Sequence, residues 1–227
     1  MKILGIDTTT KFLSVGFLDG NKICEYNLEM GRAHCRLLAP TLKRILRALK
    51  VRLKDIDYFA CATGPGSFTG IRVGMAAVKA IAWSLNKPII GISSLDILAR
   101  NLETSNIVVP LIDARRNLIY SSAYNIKGNF FKRIKPYMLL SIAEFIKKFK
   151  QVKVTLLGDA LNLYKDTILE NLPSVNILDN DYWYPKGRSI VSLACQRIES
   201  NKIESAFSLK PIYLYPKECQ IKEVDKK

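Results

Sequence analysis

One order of elements runs along this chain twice, and that doubling constrains the fold more than any single motif. In the first half, "KILGID" (2–7), "FLSVGFL" (12–18) and "ICEYNL" (23–28) read as three short strands, the last two joined by the turn "DGNK" (19–22). A helix follows, with Leu38, Leu42, Ile45 and Leu49 at helical spacing. Its other face carries Arg36, Lys43, Arg47 and Lys50, and Pro40 is expected in its first turn or at a kink. Then come a buried strand, "YFACAT" (58–63), a glycine-rich helical stretch, a strand, "PIIGIS" (88–93), and a short helix, "SLDILARNL" (94–102). The second half repeats the order. Strands at 107–115, 118–125 and 130–139 precede a helix at 141–150, which opens with a Ser141/Glu144 capping box. A strand (152–159), a helix (160–172), a strand (174–178) and a helix (188–200) complete it.

Tight turns between the first strands of each half give antiparallel neighbours, and helical crossovers give parallel ones, so each sheet is mixed. "GID" at 5–7 and "LID" at 111–113 both end the first strand of a half and lead through a polar turn into the second. Two such halves facing a cleft are the plan of the actin, hexokinase and Hsp70 superfamily, where the paired first turns grip the phosphates of ATP. The expected fold class is therefore α/β, a duplicated actin/hexokinase/Hsp70-like fold of two mixed sheets with helices. The expected division is 1–103 joined by the tail 205–227, and 104–204. The 227 residues suffice for one large or two small units.

The stretch "ATGPGSFTGIRVGMAAVKAIAW" (62–83) asks whether its glycines cradle phosphate or pack against a neighbour. No G-K-[ST] follows them, so this is not a Walker A loop, and "GPGSFTG" is one residue too long for a dinucleotide fingerprint. On a helix, Gly70, Gly74, Ala77 and Ile81 share one face. Each interior glycine costs roughly 1 kcal/mol against alanine, and close approach of another backbone is the compensation. Residues 73–85 are apolar on nearly every side, which implies burial on both sides: against the chain's own sheet, and against another helix of this chain or of a partner.

Composition narrows the chemistry. His34 is the only histidine, so a metal site of paired histidines cannot form, and a packed or capping role is expected for it. The five cysteines are far apart with no C-x-x-C, which indicates neither a zinc site nor a disulfide framework and suits a reduced, cytoplasmic compartment. No run of 18 apolar residues occurs, and "MKILGIDTTT" reaches Asp7 too soon for a signal peptide. The net charge is +15. Eight Lys or Arg and no acid lie between Gly31 and Lys54, and a second basic cluster at 127–153 contains Glu144 as its only acid. Such faces are either solvated or near nucleic acid or an acidic partner.

"ILGIDTTT", "GRAH" before a helix, "ATGPGSFTGIRVG", "SSL", "IDAR" and "LGDA" together resemble the TsaB (YeaZ) family, over nearly the whole chain from Ile3 to about Lys217. The resemblance implies a non-catalytic subunit needed for N6-threonylcarbamoyladenosine (t6A) formation beside the tRNA anticodon. It implies pairing with the catalytic paralogue TsaD, with a TsaE-like ATPase in the complex, tRNA as the complex's substrate, and a second copy of the chain as another partner. TsaD proteins hold a metal with a helical H-x-x-x-H. Here His34 is followed four residues on by Leu38, so the resemblance implies no metal, no cofactor and no catalytic residue. In the family, the two helices of the first half make a four-helix contact. Carried over, these helices are 35–50 and 67–85, with Leu37, Thr41, Gly70, Arg72, Gly74 and Ala77 as contact residues. Family tails often read "YLR", whereas this one reads "PIYLYPKECQIK" with Tyr215.

Two other readings stand beside this one. An ATP-dependent phosphotransferase of the same superfamily would use Asp7, Thr8, Thr9 and Asp113 with Asp159 near, though "GDALN" (158–162) is a poor adenosine loop. A peptidase would need a nucleophile beside a base, which the chain does not offer.

Overall fold

The computed structural model describes residues 1–31, 33–103 and 107–215. The first sheet contains β1 (Lys2–Asp7), β2 (Phe12–Asp19), β3 (Lys22–Glu29), β4 (Tyr58–Ala62) and β5 (Ile89–Ile92), in the order β3-β2-β1-β4-β5. The hairpin-linked strands pair antiparallel, and β1, β4 and β5 pair parallel. Helices α1 (His34–Ala48) and α2 (Phe68–Ser84) make the crossovers. The second sheet repeats this with β6 (Ile107–Arg115), β7 (Leu118–Lys127), β8 (Phe130–Ser141), β9 (Val154–Leu157) and β10 (Asn176–Ile177), in the order β10-β9-β6-β7-β8. Its crossovers are α4 (Ile142–Phe149) and α5 (Leu161–Asn171). This is the duplicated mixed α/β architecture that the repeated element order implies.

Central strands are buried along almost their whole length because both faces are covered. The edge strands β3 and β8 are largely exposed, with Lys22, Lys132, Arg133 and Lys135 along them, which discourages pairing with a stray strand. Pro40 sits in the second turn of α1, not the first, and there removes one i→i−4 bond.

The last helix of each half crosses to the other. Helix α3 (Ser94–Ala99) follows β5, yet its Leu95, Leu98 and Ala99 lie in the core of the second sheet. Helix α6 (Gly187–Glu199) ends the second half, yet its Ile190, Val191 and Ala194 pack with Ile3, Leu18 and Ile92 of the first. Helix α6 thus packs on the first sheet, and α3 packs on the second while its Ile97 joins the core of the first. The residues after α6 also return to the first half, where Glu204 bridges Ile89 and Leu209 is buried. Residues 216–227 of the expected tail lie outside the described residues.

A polar ladder holds the two exchanged helices together. Asp96 pairs with Arg197 at 3.4 Å, Arg100 Nε donates to Ser192 Oγ at 3.3 Å, and Ser189 Oγ donates to Asn101 Oδ1 at 2.8 Å. The Asn101 amide also donates to the carbonyls of Tyr182 and Tyr184. Tyr124 and Tyr137 both donate to Asp96 Oδ1, at 2.8 and 2.9 Å.

The β1–β2 turn fixes the two crossover helices of the first half. Asp7 Oδ1 accepts from the Thr9 amide at 2.6 Å and the Thr9 hydroxyl at 2.7 Å, which folds the turn on itself. Thr8 Oγ1 donates to the Gly70 carbonyl at 2.7 Å, and the Ser67 amide at the start of α2 donates to the Thr9 carbonyl at 2.8 Å. His34 Nε2 donates to the Thr10 carbonyl at 2.8 Å and thereby anchors the start of α1. A β-carbon on Gly70 would run into the Thr8 carbonyl oxygen, and one on Gly74 into the Thr8 hydroxyl.

Two outcomes follow. Gly70→Ala should destabilise the chain: helix propensity favours it by about 1 kcal/mol, but overpacking against a fixed backbone carbonyl costs about 1–3 kcal/mol. Chemical denaturation should show a lower midpoint at unchanged slope; an increased midpoint would mean that the contact yields. The second outcome concerns Asp7, which is fully buried with Oδ2 unpartnered and which burial lifts from 3.8 to about 6. Its folded value lies above its unfolded one, so the native state binds more protons between pH 4 and 6. Stability is then fully present below the unfolded value and lost as pH rises through about 6. The loss is about 3 kcal/mol. Asp7→Asn keeps an acceptor for Thr9, and should flatten this part of the stability–pH curve and raise stability at pH 7. Melting curves from pH 4 to 8 check both.

Candidate partner interface

Helices α1 and α2 lie side by side on one face of the first sheet. Leu38, Leu42, Ile45 and Leu46 from α1 and Ile71, Met75 and Val78 from α2 share one core. Both helices then present an outer surface. Thr69, Arg72, Ala76, Ala80 and Trp83 of α2 are exposed at steps of three and four, one stripe along the helix. Trp83 is 67% exposed. At the other end Phe68 is 49% exposed, its ring 5.3 Å from that of Tyr213. The Arg72 guanidinium lies 3.7 Å over Phe68, and its Nε donates to the Tyr213 hydroxyl at 3.3 Å.

The six residues expected at the contact separate into two groups. Arg72 is exposed, and Leu37, Thr41 and Ala77 are half-buried, so all four have surface to offer. Gly70 and Gly74 do not. Both are buried beneath Thr8 of the same chain, and the four-residue glycine spacing is explained by that intrachain approach. Their assignment to a partner contact is corrected accordingly. The residues overlooked are Phe68, Ala76, Ala80 and Trp83. Their signal was present: a helix apolar on every side needs cover on two faces, and the sheet and the turn supply only one. Small residues at 76 and 80 let a second helix approach closely, and a solvated Trp83 in the same stripe is an apolar surface left uncovered.

Of the basic residues of α1, Lys43 and Arg47 lie on another side of the helix, whereas Arg44 continues the line of Leu37 and Thr41 at helical steps. Lys43, Arg44 and Arg47 are exposed, as is Lys50 just beyond the helix, and none has a carboxylate partner among the described residues.

The two cleft turns are bonded within the chain. Thr8 and Thr9, the hydroxyls a phosphate grip would need, are buried and donate to Gly70 and Asp7. Asp113 accepts from the Arg115 amide at 2.8 Å and pairs with the Arg115 guanidinium at 3.0 Å. Asp159 Oδ1 accepts from the Asp113 amide at 3.0 Å, and burial lifts its carboxyl to about 6. Tyr215, where the family pattern has Arg, donates to the Ala114 carbonyl at 2.8 Å and so ties the tail to the second turn. His34, at the start of α1, is buried and bonded to the turn at Thr10, and Leu38, one helical step on, is core.

Comparison with known proteins agrees with this architecture. The family profile described as TsaD, tRNA N6-adenosine threonylcarbamoyltransferase, matches residues 28–212. A Bacillus subtilis protein named tRNA threonylcarbamoyladenosine biosynthesis protein TsaB is 31% identical over 172 residues, covering 74% of this chain and 75% of that protein. The Escherichia coli protein of the same name is 27% identical over 94% of each chain. The solved structure of YeaZ from Pseudomonas aeruginosa superposes with a TM-score of 0.81, at 24% identity, over 94% of this chain and all of that one. On the family profile, the B. subtilis relative and the motifs at 62–74 and 111–115, the chain belongs to the TsaB (YeaZ) family.

Proposed function

We propose that this chain is the non-catalytic scaffold subunit required for t6A formation on tRNA, and that it pairs with a TsaD-like catalytic subunit through the outer surfaces of α1 and α2. The observation that carries the reading is the uncovered stripe Arg72, Ala76, Ala80 and Trp83 of α2, with half-buried Ala77 on the same helix and half-buried Leu37 and Thr41 on α1. Membership of a family whose relatives are named for t6A biosynthesis supplies the reaction. A partner helix laid along the small residues would desolvate Trp83, an exposed aromatic of the kind that anchors interfaces. The same stripe serves a second copy of this chain when the catalytic subunit is absent. A TsaE-like ATPase and the tRNA substrate complete the complex. The phosphotransferase alternative gains no support from turns whose hydroxyls are already engaged within the chain.

The interface is tested by charge. Ala76→Glu and Ala80→Glu place carboxylates on exposed positions, so each variant should fold and melt like the wild type. Each should weaken binding to the TsaD-like subunit by at least about 30-fold, the scale of a disrupted hot spot. Titration of labelled wild-type and variant chains with that subunit reads the weakening; wild-type affinity in both variants would remove the stripe from the interface. The chain alone should transfer no threonylcarbamoyl to tRNA.

The basic surface of α1 is tested separately. Reversing Lys43, Arg47 and Lys50 to Glu should leave assembly intact, because at helical spacing these positions lie on a different side of α1 from the contact residues Leu37 and Thr41. tRNA binding by the assembled complex should weaken, and its dependence on log salt should flatten by about 0.9 for each phosphate no longer neutralised. Identical affinities and slopes would make this a merely solvated face. Loss of assembly would place the charges against an acidic partner surface.

A further inference from the structure

The ladder between α3 and α6 leaves one charge without a counter-ion. Arg100 is only 8% exposed. Its Nε donates to Ser192 Oγ at 3.3 Å and its Nη1 to the Gly128 carbonyl at 2.8 Å, both neutral acceptors. No carboxylate lies within ion-pairing distance of it among the described residues. Asp96, one turn earlier on α3, is already engaged by Arg197, Tyr124 and Tyr137. A guanidinium taken this far out of water without an anion is strongly disfavoured even after relaxation. An anion bound beside it would supply the missing counter-charge.

The surroundings show what that would be. Arg100 lines a cleft of about 360 Å³ between the end of α3 and the first turns of α6. Arg188 forms another part of the wall, with the hydroxyl-bearing Ser189, Ser192 and Tyr182 between. Two carboxylates lie close. Glu103 is exposed at the rim and makes no ion pair among the described residues, and Glu25 accepts from the Arg188 amide at 3.1 Å. Neither satisfies Arg100. The Arg188 guanidinium, the Arg100 Nη2 and the hydroxyls of Ser192 and Tyr182 are the donors not spent on the bonds above, and they match the oxygens of a phosphate group. We propose that this cleft is a phosphate-binding site, built on Arg100 and Arg188, whose size suits a small phosphomonoester. It lies at the junction of the halves, away from the outer surfaces of α1 and α2, so its ligand would bind the scaffold with its partner face free.

The test uses the full chain in phosphate- and sulfate-free buffer, with inorganic phosphate, a nucleoside monophosphate and a short single-stranded RNA as probes. The melting temperature should rise with inorganic phosphate and with the monophosphate, and not with chloride at matched ionic strength. Arg188→Gln, at an exposed position, should weaken calorimetric binding of the monophosphate about tenfold, as expected when one hydrogen bond to a charged group is removed. Arg100→Met should melt higher than the wild type without phosphate and should lose the response to it. If that variant does not fold, Arg188→Gln paired with Ser192→Ala carries the same comparison. Binding of the RNA but not of the monophosphate would overturn the phosphomonoester assignment and, if sensitive to Arg188→Gln, would give the cleft to a polymer backbone. No response to any probe at millimolar concentration, or a response unchanged in the variants, overturns the site.

Discussion

The contact on which the first half depends is the seating of Thr8 against Gly70. A strand that ends in Asp7 must turn at once, and the Asp7–Thr9 bonds make that turn rigid. Thr8 then lies on α2 where only glycine leaves room, and Thr9 and Thr10 receive the first residues of α2 and α1. One short turn thereby sets where both helices begin and how they lie on the sheet. The outward faces of the two helices are a consequence of that seating. The hydroxyls and carbonyls of the turn are thereby committed to holding helices.

The exchange of α3 and α6 does for the whole molecule what the turn does for the first half. Each half lends its last helix to the other's sheet, and the buried ladder from Asp96–Arg197 to Asn101–Ser189 joins them. Sliding one half past the other would strand several buried polar groups at once, each costing about 1–3 kcal/mol.

Much of this was legible in the sequence. Strands, helices and their doubled order could be read because alternating and helical periods were strong and the turns carried glycine, asparagine or a serine cap. The direction in which α2 faces could not be read. Gly70 and Gly74 mark a close approach, but nothing in their spacing tells whether the approaching atom belongs to Thr8, 62 residues before Gly70, or to a partner helix. That α2 needs cover on a second face could be read from its being apolar all round, but not which residues form that face: alanine and tryptophan read as core there, and the exposed stripe at 72, 76, 80 and 83 emerges only from the packing. The crossing of α6 to the first sheet was also invisible, because its Ile190/Val191/Ala194 face fits either core by composition. Arg100 gave no signal in the sequence either, since its lack of a counter-ion emerges only when Asp96 is seen to be engaged elsewhere.

The claim at the centre is that α2 meets its partner through the stripe that ends at Trp83. The chain has two tryptophans, one 67% exposed at 83 and one 5% exposed at 183, which gives a built-in reporter and control. Fluorotryptophan-labelled chain, followed by ¹⁹F NMR while the unlabelled TsaD-like subunit is added, reads both sites at once. The account expects the Trp83 resonance to shift and to lose its solvent isotope effect at one equivalent of partner, with Trp183 unchanged. A stoichiometric complex in which Trp83 keeps its free-chain shift and stays in contact with water would contradict it.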